Sequence, residues 1–174
     1  KMADGGFRPA YNLQFAPTAD EARVIVGVAA TNRGSDQGES TPMLAQIEQR
    51  TGVRPTELLV DGGYAAHDAL AAAADLGVTV YAPVPTPREG HPRDPAAPRA
   101  GDSEPVAAWR ARMASDEAKT IYKARAATAE TVHADAKAHR GLDHLAGRGR
   151  DQALGSACLF ALTYNILRLI TLSH

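Results

Sequence analysis

Apolar and polar residues alternate over residues 11–16, with Tyr11, Leu13 and Phe15 on one side and Asn12 and Gln14 on the other, a period of two that predicts a strand. After a turn at 17–21, residues 23–30 are nearly all Val, Ile, Gly and Ala and predict a second strand. The connection is too short for a crossover helix, so the pair should be antiparallel. A helix should follow, with Ser40 or Thr41 as its cap, Pro42 in its first turn, Leu44, Ala45 and Ile47 on its apolar face, and Gly52 at its end. Leu58-Leu59-Val60 reads as a buried central strand that closes at Asp61, residues 67–76 as a helix stopped by Gly77, and residues 78–82 as another strand. Strand, helix and strand at this spacing predict a parallel βαβ unit with a right-handed crossover.

The pattern is lost over residues 83–105, where 7 of 23 residues are proline. This segment reads as an irregular insertion within one domain. Residues 106–113 and 115 to about 140 read as helix, with Ser115 as a cap and Asp116 and Glu117 at the positive end of the dipole. Residues 141–149 form a basic, His-containing loop. Residues 153–172 are almost uncharged and long enough to cross a bilayer. Ser156, Tyr164, Asn165 and Arg168 interrupt the run, however, so a helix buried against the sheet is expected and no membrane partner.

A chain of 174 residues can bury one core, so one domain over 1–174 is expected. The net charge of −1 conceals a segregation: residues 1–118 carry 11 basic and 16 acidic groups, and residues 119–150 carry 7 basic and 3 acidic. The lone Cys158 cannot form an internal disulfide, and its apolar surroundings predict a buried thiol in an intracellular protein. The polar, glycine-rich first residues do not read as a signal peptide.

Candidate chemistry centres on two carboxylates. Asp61 either caps the following helix or closes a glycine-rich turn, or it stands at the carboxyl edge of a strand where α/β sheets hold ligands. Glu130 lies in the basic segment and shares one helical face with His133 and Lys137. Arg125 lies about 140° round from Glu130 on an unbroken helix, so either the helix bends near Thr128 or Arg125 reaches another partner. Glu130 and Lys137 alternatively belong to an ion-paired solvent face. Converging carboxylates hold divalent magnesium, and paired metals activate a nucleophile and steady a phosphodiester leaving group. The spacing of His67, His133, His139 and His144 offers no compact zinc pattern.

The sequence resembles the catalytic region of the DDE transposases of bacterial insertion sequences. The stretches that carry the resemblance are Asp4-Gly5-Gly6-Phe7-Arg8-Pro9-Ala10-Tyr11-Asn12-Leu13-Gln14, Thr31-Asn32-Arg33-Gly34-Ser35-Asp36, Leu59-Val60-Asp61-Gly62-Gly63-Tyr64, residues 121–137, and Ala161-Leu162-Thr163-Tyr164-Asn165-Ile166-Leu167-Arg168. It implies an α/β, ribonuclease-H-like mixed sheet flanked by helices. It also implies an Asp-Asp-Glu triad that binds Mg2+ or Mn2+, cuts DNA at transposon ends and joins the freed 3'-hydroxyl to target DNA. Asp61 matches the second Asp of the triad and Glu130 its Glu, as catalytic and metal-binding residues. Tyr122, Arg125 and Lys137 match the Tyr-Arg-Glu-Lys signature and, with His133 and Arg140, are the expected contacts to double-stranded DNA.

The family's first Asp and its strand have no counterpart here. The chain is therefore expected to be a truncated catalytic domain, inactive alone, in a cytoplasmic, nucleoid-associated setting. The alternative is a non-catalytic DNA-binding or self-associating remnant, with a homodimer formed at the open sheet edge. A metal-dependent nuclease acting on another substrate is the third reading.

Overall fold

The computed structural model describes residues 11–85, 94, 96–142, 144–145 and 148–173. Part of the resembling stretch 4–14, most of the central part of the proline-rich segment, and residues 143, 146 and 147 of the basic loop lie outside them. The chain divides into two compact units, Lys1–Gly34 with Thr128–His174, and Ser35–Ala127. The architecture is mixed α/β, with one antiparallel and one parallel pair of strands and helices packed on them.

In the first unit, β1 (Asn12–Pro17) and β2 (Ile25–Thr31) form the expected antiparallel hairpin, in a register that pairs Asn12 with Thr31 and Phe15 with Val28. Asp20 organises the connection. Its Oδ1 accepts from the Thr18 hydroxyl and from the backbone N–H groups of Ala22 and Arg23. The Thr18 hydrogen bond leads in holding the Asp20 carboxyl below its ordinary value, with the Arg23 and Ala22 N–H groups adding to it and burial opposing. Two helices pack here, α5 (Thr131–Ala138) and α6 (Arg150–Leu172). Phe15, Ile25, Val28, Val132, Ala136, Ala157, Phe160 and Ala161 make the core.

The α6 helix places Ala157 and Ala161 in the core shared with the hairpin, and Ala153 is buried as well. Its length and composition would suit a membrane span. One stripe of it is buried, as expected, but Leu159, Leu162, Ile166 and Leu169 on the remaining faces are exposed, because a two-stranded hairpin is too narrow to cover a helix all round. Cys158 also lies outward and is exposed, which corrects the expectation of a buried thiol: an apolar run does not reveal which stripe of a helix meets a partner.

Polar side chains set the register of α6 on β2. Asn165 donates from Nδ2 to the Ile25 carbonyl at 2.8 Å and accepts at Oδ1 from the Ile25 N–H at 2.7 Å. Arg168 donates to the carbonyls of Ala22 and Glu21. Replacing Asn165 by alanine strands both backbone groups of Ile25 and should cost on the order of 2 kcal/mol in urea unfolding. A change within about 0.5 kcal/mol, the usual range for surface positions, would show that water replaces the amide without loss.

The second unit contains α1 (Ser40–Thr51), β3 (Glu57–Leu59), α2 (His67–Asp75), β4 (Thr79–Tyr81), α3 (Glu104–Ala114) and α4 (Asp116–Arg125). The expected parallel pairing is present, Leu58 opposite Val80 and Leu59 opposite Tyr81. The β3 strand is shorter and more exposed than a central strand, since among the described residues it pairs with β4 alone. Gly52 and Gly77 follow α1 and α2 at φ of 72° and 74°, a left-handed conformation that suits glycine. Ser115 caps α4 by accepting from the Ala118 N–H at 3.1 Å. At α1 the cap position is held by Glu39 rather than Ser40 or Thr41, and Ser40 is already helical and buried. Leu44, Leu70, Val80, Ala82, Val106 and Trp109 lie in the core of this unit.

Candidate functional site

In the second unit the chain leaves β3 at Leu59 and turns at Asp61, which caps a 3-10 turn over Gly62–Tyr64. Asp61 Oδ1 accepts from the Gly63 N–H at 2.9 Å. A Cβ on Gly63 would stand 3.1 Å from that same oxygen, so the small residue permits the close return of the carboxylate. Asp61 Oδ2 faces the Arg125 guanidinium at 3.6 Å. Both oxygens of the carboxylate therefore have partners inside the unit. The Asp61 carboxylate thus closes its own turn.

Tyr64 lies beside this turn and is half-buried. Burial pushes its phenol well above the ordinary value, and the negative charges of Asp36, Asp61 and Glu39 add to the shift while Arg125 opposes it. Tyr64 is accordingly a neutral hydroxyl at physiological pH. Of the two neighbours beyond the turn, Asp36 ends one of the resembling stretches, whereas nothing in the sequence marks Glu39.

The segment after α4 accounts for the angular mismatch of Arg125 and Glu130 twice over. Residues Ala126–Glu130 form a π turn with Thr128 buried, which breaks the α-helical register, and Arg125 reaches Asp61. Such turns insert a residue into a helix and are frequent at functional sites. Tyr122 is half-buried, and its ring packs on the core of the second unit.

Glu130, exposed, ends the π turn and precedes α5 in the first unit. His133, Ala136 and Lys137 are spaced so that they share a face of α5, and this face meets Leu13 and Phe15 of β1 and Tyr11 just before it. Between them is a cleft of about 230 Å3, lined also by Asn12 and Leu142. The Phe15 ring meets the His133 imidazole edge-on at 5.5 Å between centroids and is backed by Phe160 at 5.1 Å. Phe15 is buried behind the cleft, and Lys137 is exposed at its margin. Arg140 sits 3.6 Å from Asp135.

The predicted site residues therefore fall into two sets, Asp61 with Tyr122 and Arg125 in one unit, and Glu130 with His133, Lys137 and Arg140 in the other. Among the described residues, no group of three or more His, Cys, Asp or Glu side chains is placed to hold a metal ion. Magnesium and manganese take hard oxygen donors, and magnesium in particular needs near-octahedral coordination. The Asp61 oxygens have an N–H and a guanidinium as neighbours instead. The described residues thus offer neither ion a set of three such ligands.

Residues 96–170 match the family described as Transposase DDE domain. No curated protein and no solved structure matches the chain.

Proposed function

From a chain whose residues 96–170 carry the transposase DDE domain pattern, we propose a non-catalytic role: it holds DNA by the backbone and does not itself cut it. Its hairpin and its β3–α2–β4 unit are then parts of a ribonuclease-H-like fold, a reading supported by the mixed α/β architecture. The observation that carries the proposal is the engagement of Asp61. Its carboxylate closes its own turn and faces Arg125, in a chain whose described residues offer no metal ligand set.

The basic segment supplies the binding energy. Residues 119–150 bring a local excess of positive charge in an otherwise acidic chain, and neutralising phosphates releases condensed counterions. Lys137, His133 and Arg140 are the contacts proposed on the first unit, with Lys123 exposed on α4. Tyr122 and Arg125 act through the position they give the helix and the Asp61 turn.

Fluorescence anisotropy on a short labelled duplex tests this. Affinity should fall with salt, with a slope of about −0.9 per phosphate contacted, and Lys137→Ala should make the slope shallower by about 1. Magnesium should act only as added salt, and supercoiled plasmid should stay intact with Mg2+ or Mn2+. Metal-dependent nicking that disappears in both Asp61→Asn and Glu130→Gln would overturn the proposal and restore a catalytic reading in which the two carboxylates share an ion.

A further inference from the structure

The hairpin covers one stripe of α6, and the stripe on the opposite side is apolar as well. It carries Leu159, Leu162, Ile166 and Leu169, whose exposure runs from 49% at Ile166 to 66% at Leu159. Their spacing of three, four and three residues is the alternation that keeps a narrow apolar seam along one side of a helix and packs it against a second helix. We infer that this seam is a two-fold interface between copies of this chain, with α6 of one copy packed along α6 of another. The interface goes beyond DNA binding and uses a surface other than an open sheet edge.

Placement is the first argument. At about 100° per residue the four side chains fall within roughly 80° of one another, with Ile170 on the flank, while Ala157, Phe160 and Ala161 point the other way into the core with the hairpin. The seam is short, about two heptads, and an isolated helix of that length would be marginal in water. Here that cost is already met. Asn165 bonds both backbone groups of Ile25, and Arg168 donates to the carbonyls of Ala22 and Glu21, so the hairpin holds α6 in helical form before any second helix arrives.

Area is the second argument. Leu159, Leu162, Ile166, Leu169 and Ile170 leave on the order of 500 Å2 of apolar surface in water, as much as the largest single patch that most monomers carry. Two copies that cover it remove roughly 1,000 Å2, before the flanking Cys158, Thr163 and Leu172 are counted, which is the scale of a specific interface of moderate strength. Charge is the third argument and selects the occupant. Helices that choose a different partner do so through charges beside the seam, and Cys158, Thr163, Ile170 and Leu172 carry none. Arg168, the one charge between Gln152 and Ser173, is turned to the hairpin. An uncharged seam of this kind is complementary to itself, as a two-fold contact requires.

Sedimentation velocity of the full chain without DNA, in reducing buffer so that no disulfide through Cys158 contributes, tests the inference. The mean mass should rise from one chain towards two between about 1 and 300 μM, and added salt should not weaken the association, since its driving force is apolar. Leu162→Glu and Ile166→Glu each place a carboxylate without a partner in the seam and should weaken association at least about 100-fold. Both positions are exposed, so circular dichroism should show an unchanged fold. Leu167→Glu makes the same change about 110° round the helix from the seam and should leave the dimer intact. A wild-type chain that stays monomeric to about 300 μM overturns the inference, as does a mass that grows past two copies. A dimer that survives both seam variants, or weakens as much with Leu167→Glu, places the contact elsewhere and overturns it too. Flotation with phosphatidylcholine vesicles completes the test: vesicle binding by a chain that remains monomeric would give the stripe to a lipid surface and overturn the dimer.

Discussion

Trp109→Ala should destabilise the chain by about 3–5 kcal/mol, the range for truncating a large buried aromatic side chain. Trp109 is 2% exposed at the centre of the second unit's core, and its Nε1 donates to the Ala82 carbonyl at 3.1 Å. Truncation leaves a void that neighbours cannot fill and an acceptor that loses its donor. Ala82 is fully buried and directly follows β4, and Pro83 beyond it stands 3.7 Å from where a Cβ on Gly62 would lie. The ring therefore supports the strand end against which the Asp61 turn rests. Trp109→Phe, which keeps most of the volume and loses the N–H, should cost a few kcal/mol less. Urea unfolding followed by circular dichroism suits both variants, because Trp109 is the single tryptophan and its fluorescence is lost with it. A truncation cost below about 1 kcal/mol would mean that α3 is not anchored through this ring.

How far the sequence reveals this arrangement depends on which physical signal each element carries. The β1 alternation is a local property of the backbone, and it correctly places Tyr11, Leu13 and Phe15 on one face, the face that lines the cleft. The parallel β3–α2–β4 unit follows from connection length, and Gly52 and Gly77 mark the helix ends because a left-handed residue is needed there. Partner choice is what periodicity lacks. Asp61 has the same sequence neighbourhood whatever its carboxylate faces, and only the folded chain shows the Gly63 N–H and Arg125 beside it. Cys158 and Leu159 sit in as apolar a run as Ala157 and Phe160, yet only the latter two meet the hairpin. The π turn is likewise hidden: Ala126–Glu130 contains ordinary helix formers, and only the misfit between Arg125 and Glu130 hinted that the register shifts.

Asp102 and Arg110 show the same limit and lead to the second large effect. Nothing in their spacing marks them, but Arg110 Nε lies 2.8 Å from Asp102 Oδ2 with both side chains almost wholly covered, and the guanidinium also stands 5.4 Å from the centre of the Trp109 ring. Burial works against the Asp102 charge, yet the hydrogen bonds from the Arg99 N–H and from Arg110, with the Arg110 charge, outweigh it and hold the carboxyl below its ordinary value. Its folded pKa is depressed, so the stability it contributes is present above the unfolded value of about 3.9 and is lost as pH falls through the folded one. Arg110→Met removes the partner and leaves a covered carboxylate held by one N–H, and at pH 7 this should lower the melting temperature far more than Arg54→Met, which breaks a half-exposed pair with Glu48. Without the guanidinium the Asp102 carboxyl loses the charge and one of the hydrogen bonds that hold it low, so the variant should regain stability relative to wild type as the carboxyl is protonated. The gap in melting temperature between wild type and Arg110→Met should therefore be widest near pH 7 and narrow steadily towards pH 3. Asp20 and Asp116, whose carboxyls are also held low, are common to both proteins and cancel in that difference. A gap that stays constant over the same range would show that Arg110 stabilises the unit by packing on Trp109 and not through its charge.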